Sequence, residues 1–383
     1  MKIGMMSDYY KPYISGVTVY IEGYKRQFEA AGHEVFIFTF GEETEAEIEQ
    51  GILRTPGLNI YTEGYYFNLM HSEHVRHLLQ QMDVVNVHHP YISGTLALRY
   101  CRPKNIPIIF TGHTRYDVYA NAYLPRPAAW SVQQVIAYYL PNFLNKIDLT
   151  IVPSESARKV LLDYGVQKMI QVIPHGIDLS LFRAAGGAFD RTDLGIPSED
   201  VLLIYVGRLG AEKNLPLLLT AMKHVSEQNP DISLLLVGDG PEKQPLKKLV
   251  KDLDLEEKVH FGNEVPHQNT PDYYRSADIF VMPSANETFG FTIVEAMACG
   301  LPVVAVDRPG VRDNIEPEIT GLLANDDPVD YAAQILKLAS SPIMRKSMGE
   351  RARVEAEKFS LETSAQSVLQ IFEKLNEARS ENA

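Results

Sequence analysis

The sequence is poor in cysteine and tryptophan. It has two cysteines, Cys101 and Cys299, and one tryptophan among 383 residues. Two cysteines cannot build a disulfide framework, and no paired Cys/His spacing typical of structural zinc is present. The chain also lacks a run of 18 apolar residues, and MKIGMMSDYY passes directly into a strand-like run without the longer apolar region expected of a signal peptide. These absences predict a cytoplasmic protein without a membrane span.

Positive charge is also scarce. The net charge of −13 argues against non-specific binding of nucleic acid. The charge is unevenly spread, because residues 1–185 carry 16 basic and 17 acidic side chains and the remainder carries 20 and 32. Within the first part, residues 97–168 hold nine basic and four acidic side chains. This pattern is compatible with a solvated surface, and also with one face directed toward an anionic surface such as the inner face of the cell membrane.

The length favours two domains, each able to bury its own core. Short runs rich in Val, Ile and Leu alternate with helical patterns, and this set occurs twice. Near-continuous apolar runs predict parallel strands buried on both faces, as in an α/β fold. The predicted strands are Lys2–Met6, Glu34–Phe40, Val84–His88, Pro107–Thr111, Leu149–Val152 and Ile170–Ile173 in the first half, and Val201–Val206, Ser233–Val237, Val259–Phe261, Ile279–Met282 and Val303–Val306 in the second.

A glycine-rich, charged segment at residues 182–200 has little apolar periodicity and predicts the joint between the halves. We therefore expect domains at residues 1–185 and 186–360, followed by a helix at 361–383 that packs back toward the first domain. A cleft between two doubly wound halves is the default place for a ligand, because strand carboxyl ends face it from both sides.

The strongest functional signal lies in residues 283–305. Glu287 stands in a loop after a predicted strand, and Glu295 lies about one turn into the following helix. The start of that helix, with Gly290 before it, is suited to a phosphate or another anion. Glu295 on an apolar helix needs hydrogen-bond donors, which sugar or ribose hydroxyls would supply. A helix cap plus a solvated glutamate is the simpler structural interpretation of this spacing.

Two further loops follow predicted strands. GRLGAEKN, residues 207–214, offers Arg208 and Lys213, and VGDGP, residues 237–241, offers two glycines. Arginine binds phosphate oxygens through its fork of N–H groups, and lysine adds a point charge. The first loop is therefore suited to an anionic ligand, and the glycines of the second relax its backbone.

These motifs, in this order, resemble the family 4 retaining glycosyltransferases of the GT-B fold over about residues 1–360. The matching pieces in the second half are GRLGAEKN, VGDGP, ADIFVMPS and ETFGFTIVEAMACGLPVVA, which holds the Glu-x7-Glu pattern as Glu287 and Glu295. The first half matches through MKIGMMSDYYKPYISGVTVY, AAGHEVFIFT, TGHTRYDVY, VPSESARKVL and VIPHGIDLSLF. The resemblance implies two Rossmann-like doubly wound domains with an interdomain cleft, the first binding the acceptor and the second the nucleotide sugar.

The resemblance also implies roles for particular residues. Arg208 and Lys213 would hold the donor diphosphate and stabilise charge on the leaving group. Glu295 would bond to the ribose and Glu287 to the donor sugar. The donor site would also include Gly16, Phe289, Gly290 and Phe291. His113 would lie near the donor-sugar C6 hydroxyl, so that the implied catalytic set is His113, Arg208, Lys213 and Glu287.

The acceptor depends on the first half. Residues 113–148 combine aromatic, aliphatic and basic side chains and resemble the bacterial diacylglycerol glucosyltransferases of this family. The implied reaction moves a hexose, glucose, from a UDP-linked donor to diacylglycerol at the membrane surface. The candidate acceptor-binding residues are His88, Tyr116, Tyr119 and Arg126. A soluble sugar, a polyol or phosphatidylinositol as acceptor, and a non-catalytic nucleotide-sugar-binding protein, remain open alternatives.

Neither a metal site nor a cofactor is expected. The resemblance implies that protein cations neutralise the diphosphate and that the donor's α configuration is retained. The Asp252-x-Asp254 pair lies in a charged helical pattern and is interpreted as a solvated face.

Overall fold

A computed structural model describes residues 1–13, 15–42, 44–59, 66–113, 126–183 and 186–381. The chain divides into two compact units. The described residues of Met1–Asp117, Pro127–Gly176 and Leu361–Ala383 belong to the first unit, and those of Ile177–Ser360 to the second. The division falls somewhat before the boundary expected at residue 185, because Ile177, Leu179 and Phe182 pack into the core of the second unit.

The first unit is built on a parallel sheet of seven strands. These are β1 (Lys2–Met6), β2 (Glu34–Phe40), β3 (Ile52–Thr55), β6 (Val84–Val87), β7 (Ile108–Thr111), β8 (Leu149–Val152) and β9 (Ile170–Val172); a small antiparallel pair consists of β4 (Leu58–Asn59) and β5 (Tyr66–Phe67). The order across the large sheet is β3-β2-β1-β6-β7-β8-β9. Its helices are Gly16–Ala30, Glu45–Glu49, Glu73–Leu79, Ile92–Tyr100, Arg126–Leu144, Glu155–Asp163 and Leu361–Glu381.

The last helix completes the core of the first unit. Leu361, Val368 and Phe372 are buried in a cluster with the helix Gly16–Ala30 and strand β1. The Phe372 ring meets Phe28 edge-on, with ring centroids 5.6 Å apart. The chain end therefore supplies apolar surface that the rest of this unit needs.

The second unit is built on a parallel sheet of six strands. These are β10 (Val201–Val206), β11 (Ile232–Val237), β12 (Val259–Phe261), β13 (Ile279–Met282), β14 (Val303–Val306) and β15 (Gly321–Ala324). The order β12-β11-β10-β13-β14-β15 is that of a doubly wound Rossmann fold, with its reversal between β10 and β13. Its α-helices are Leu179–Arg183, Leu215–Gln228, Lys243–Asp252, Thr270–Arg275, Phe291–Ala298, Pro328–Ala339 and Pro342–Ala356.

The strands predicted from apolar runs are all present, but the edge strands β3 and β15 of the two large sheets and the small pair β4–β5 were missed. Strand β3 escapes a pattern search because it is short and contains Arg54, a charged residue. The Arg54 side chain is nevertheless buried, since its guanidinium pairs with Glu47 at 2.7 Å. Strand β15 has four residues and begins with glycine, which weakens its apolar signal.

The segment at residues 182–200 packs against the second unit where it is described. Phe182 is buried, and the Phe189 ring stacks on Tyr273 with centroids 4.6 Å apart. Asp190 accepts from the backbone N–H of Thr192 and caps a short 3-10 turn. Most of this glycine-rich segment is thus a part of the second unit rather than an open linker.

Candidate active site

The predicted donor-binding residues of the second unit lie at the switch point of its sheet. Strands β10 and β13 are neighbours there, and the helices that follow them cover opposite sides of the sheet. The loop with Arg208 and Lys213 follows β10, and the loop with Glu287 follows β13. Ligands of open α/β sheets bind at the carboxyl ends of strands at this point.

Glycines let two strand-end loops touch through their backbones. A Cβ on Gly238 would lie 2.0 Å from the Gly207 carbonyl oxygen, and one on Gly240 would lie 2.4 Å from that of Leu209. Both glycines also have positive φ angles, +140° and +157°. The backbone N–H of Leu209 donates to the Asp239 carbonyl at 2.9 Å. The loop that holds Arg208 is therefore supported by a loop that only glycine permits.

Lys213 and Glu287 form an ion pair. The Lys213 Nζ donates to the Glu287 Oε1 at 2.7 Å, and the two side chains are 22% and 11% exposed. Burial opposes both charges, but the Glu287 carboxylate raises the pKa of Lys213 and the ammonium lowers the pKa of Glu287. Both groups are thus charged at neutral pH, and Lys213 supplies a fixed cation at the switch point.

The backbone of the Glu287 loop is held by residues that sequence reasoning missed. Gly310 has φ +83°, and a Cβ there would lie 1.8 Å from the Glu287 carbonyl oxygen. Buried Asn314 donates from its Nδ2 to the Phe289 carbonyl. The Pro309–Gly310 dipeptide was a turn signal that could have drawn attention to this loop.

Gly290 starts the helix Phe291–Ala298 from a left-handed conformation, with φ +75° and ψ +59°. Because Gly290 has no side chain, the N-cap residue offers no side-chain cap to this first turn. Phe289 is buried between the rings of Phe291 and Phe359, with centroids 5.1 and 5.7 Å away. The backbone groups of residues 289–291 that are predicted to contact the donor therefore lie at a well-packed helix start.

Glu295 already has protein donors on both oxygens. The Tyr274 hydroxyl donates to Oε2 at 2.8 Å, and His267 Nε2 lies 3.0 Å from Oε1. The expectation that ligand hydroxyls must supply these donors was incomplete, because the carboxylate is buried among its own partners. Each oxygen retains a lone pair, so a ribose contact stays a prediction. The hydrogen bond to Glu295 raises the pKa of His267, against the effect of burial.

Arg208 is exposed, and its carbonyl accepts a hydrogen bond from the fully buried Tyr205 hydroxyl at 3.0 Å.

The Asp252-x-Asp254 pair is exposed at the end of the helix Lys243–Asp252, with Asp254 3.9 Å from Lys223. Within the described residues, no group of three or more His, Cys, Asp or Glu side chains has metal-site geometry.

In the first unit, His113 follows β7 and His88 follows the neighbouring strand β6. The His88 Nδ1 lies 2.9 Å from the His113 Nε2. The Tyr20 ring meets both imidazoles, with centroids 5.6 and 4.7 Å away, and His175 lies 4.9 Å from His113. Burial, aided by the nearby histidines, holds the pKa values of His88 and His113 well below their usual range.

The structure says less about the predicted acceptor-binding residues. His88 is fully buried, so its position does not favour direct contact with an acceptor. Tyr116 and Tyr119 lie outside the described residues, as does the side chain of Arg126. Gly16 is the first residue of its helix, which begins at a capping box of Ser15 and Thr18.

Comparison with known proteins decides the family. A model described as Glycosyl transferases group 1 matches residues 188–355, and one described as Glycosyltransferase Family 4 matches residues 14–181. The alpha-monoglucosyldiacylglycerol synthase of Streptococcus pneumoniae (strain ATCC BAA-255 / R6) is 31% identical over 94% of this chain and 83% of its own length. The chain belongs to family 4 of the glycosyltransferases.

Other similarities fit this assignment. The D-inositol 3-phosphate glycosyltransferase of Kineococcus radiotolerans is 29% identical over 94% of this family 4 chain and 90% of its own length. The structure of Anabaena Alr3699/HepE in complex with UDP-glucose superposes with a TM-score of 0.78 at 17% identity, covering 98% of this chain and all of that one. Together with the two Rossmann-like sheets, these matches confirm the predicted GT-B fold.

Proposed function

We propose that this glycosyltransferase moves glucose from UDP-glucose to diacylglycerol at a membrane surface, with retention of the α configuration and without a metal ion. The observation that carries the lipid acceptor is an exposed face of the helix Arg126–Leu144 on which large apolar side chains stand among polar ones. Trp130, Val135 and Tyr138 are 63%, 66% and 76% exposed along it. The name of the pneumococcal relative, a glucosyldiacylglycerol synthase, supports the same acceptor.

This helix has one buried face and one exposed face. Ile136, Leu140 and Phe143 are buried in the core of the first unit, while Trp130 and Tyr138 point away from it. A helix that exposes aromatic and aliphatic side chains on one face suits the interfacial layer of a bilayer. Among the described helices, none is long and apolar enough to cross a membrane. The proposed association is therefore peripheral, at the inner face of the cell membrane.

The electrostatics of the first unit support this contact. Residues 97–168 carry nine basic and four acidic side chains, whereas the chain from residue 186 onward is strongly acidic. Each basic residue near an anionic surface contributes about 1 kcal/mol, and salt screens that attraction. We expect the first unit to face the lipid.

The donor half of the proposal rests on charge. The Lys213 ammonium, with Arg208 on the same loop, would neutralise the diphosphate as the bond from sugar to phosphate breaks. Glu287 would bond to the donor sugar, Glu295 to the ribose, and Gly16, Phe289, Gly290 and Phe291 would line the donor through backbone. His113 of the first unit would act at the sugar.

The reaction is tested with radiolabelled UDP-glucose offered with diacylglycerol vesicles, with soluble polyols or with inositol phosphate. We expect glucosyldiacylglycerol with an α linkage in the NMR spectrum, and activity that persists in EDTA. Transfer to a soluble acceptor alone would move the assignment to the alternative that the Kineococcus relative suggests. A β-linked product would contradict retention.

The membrane contact is tested by vesicle co-sedimentation. Replacing Trp130, Val135 and Tyr138 together by serine should abolish binding to anionic vesicles. Ile343→Ser with Val354→Ser provides a matched control, because these residues are 84% and 72% exposed on a helix of the second unit. Equal loss of binding in both variants would show that general surface apolarity, and not this helix, drives association.

A further inference from the structure

The hydrogen bond between His88 and His113 requires one shared proton. Both imidazoles are neutral at physiological pH, because burial lowers the pKa values of both residues. In a neutral imidazole one nitrogen donates and the other accepts. The 2.9 Å contact therefore has either His88 Nδ1–H donating to His113 Nε2 or His113 Nε2–H donating to His88 Nδ1.

The surroundings of His88 select between these arrangements. Its Nε2 is buried and has no hydrogen-bond partner among the described residues. A proton on Nε2 would create a buried N–H without an acceptor, and such groups are rarer in proteins than under-satisfied acceptors. A proton on Nδ1 avoids that cost and is used in the bond to His113.

We infer that His88 is a positioning residue that donates from Nδ1 to His113 Nε2 and thereby fixes His113 as the Nδ1–H tautomer. His113 then offers a neutral N–H donor to its ligand instead of a basic nitrogen. A donor of this kind suits a sugar hydroxyl oxygen. This inference rests on the proposed role of His113 at the donor sugar.

The packing keeps the two rings in place. His88 is 0% exposed, and its backbone N–H extends the sheet by donating to the Met6 carbonyl at 2.9 Å. The Tyr20 ring contacts His88, His113 and His175 by its edge or face. Tyr20 itself stacks on Tyr24 at 3.7 Å, so that the imidazoles lie against a rigid aromatic pair.

The tautomer can be read directly by NMR. In the full chain labelled with 15N-histidine, long-range 1H–15N correlations distinguish protonated from unprotonated ring nitrogens. We expect His113 to show an unprotonated Nε2 and a protonated Nδ1, with the signals assigned through His113→Gln. An Nε2–H tautomer or a doubly protonated ring at neutral pH would overturn the inference, whatever the activity.

Two variants of His88 connect the tautomer to turnover. His88→Asn places an amide nitrogen near the position of Nδ1 and keeps a donor, whereas His88→Leu removes it. We expect kcat/KM for UDP-glucose to fall about tenfold in His88→Leu and to stay within threefold in His88→Asn. An equal loss of kcat/KM in the two variants, both folded, would show that His88 contributes only packing.

A separate control isolates the role of His113. If His113→Ala keeps full turnover, the proposed function of His113 fails, while the spectrum of the unmodified chain still decides the tautomer. If His88→Leu does not fold, that spectrum and the His88→Asn kinetics remain as tests.

Discussion

Lys213 and Glu287 show how one ion pair can serve both stability and chemistry. Lys213→Met leaves the mostly buried Glu287 carboxylate without its cation, which we expect to cost on the order of 3 kcal/mol of unfolding free energy. Turnover should fall by roughly 10²–10³, the scale for losing one preorganised charge contact. Thermal unfolding and steady-state kinetics measure the two effects.

The matched control removes both charges. Lys213→Met with Glu287→Gln leaves no unpaired charge, so that most of the stability should return while turnover stays low. Recovery of turnover along with stability would show that the pair is structural only. If turnover falls less than threefold in Lys213→Met, this residue has no role in the mechanism.

Buried His71 makes stability depend on pH. It lies against Phe40 in the first unit with its Nδ1 2.8 Å from the Thr55 hydroxyl, and burial lowers its pKa from 6.5 to about 4. The unfolded chain therefore binds the proton first as pH falls. The contribution of neutral His71 to the free energy of unfolding is complete above pH 6.5 and falls progressively as the pH is lowered. At about pH 4, up to about 3 kcal/mol of the free energy of unfolding is lost.

This dependence is measured as the melting temperature between pH 7 and about pH 4. His71→Asn keeps an amide near Thr55 and does not titrate, so the fall in melting temperature should be smaller than in the unmodified chain. Exposed His74→Asn serves as the control and should follow the unmodified curve. Parallel curves for all three proteins would contradict the prediction.

At the scale of elements, loops carry the constraints that a pattern search cannot see. Gly310 and Gly195 have similar φ angles, +83° and +73°, but only Gly310 has a neighbour at its Cβ position, the Glu287 carbonyl oxygen at 1.8 Å. Gly195→Ala should therefore cost only the conformational penalty, about 1–2 kcal/mol. Gly310→Ala must also displace the Glu287 loop.

We expect Gly310→Ala to lower the melting temperature more than Gly195→Ala and to weaken UDP binding at least tenfold. Calorimetric titration with UDP and thermal unfolding test this pair. Equal effects of the two substitutions on both quantities would show that backbone conformation alone explains them, and that the contact with Glu287 is unimportant.

At the scale of the whole molecule, the chain end completes the first unit. Fully buried Phe372 packs on Phe28, so Phe372→Ala should cost about 4 kcal/mol through lost burial and a cavity. Hydrogen exchange should become faster in the helix Gly16–Ala30. Exposed Lys374→Ala on the same helix is the control, and equal exchange in the two variants would contradict this view.

Much of the fold could be predicted from sequence because it is encoded locally. Runs such as Val201–Val206 and Ile279–Met282 are apolar throughout, and a strand buried on both faces needs that composition. The loops after these strands could be recognised by their glycines and charged residues. Short edge strands such as β3 could not be found this way, because burial of Arg54 depends on its pairing with Glu47.

The two α/β halves, the family and the residue types at the switch point can be predicted from the sequence, because each depends on contiguous motifs. The partners of those residues depend on how distant segments pack together. Lys213 pairs with a residue 74 positions away, and Tyr24 bonds to Ser364 across 340 positions. Such contacts arise because parallel sheets bring distant strand ends to one edge, and because a core incomplete in one segment is filled by another.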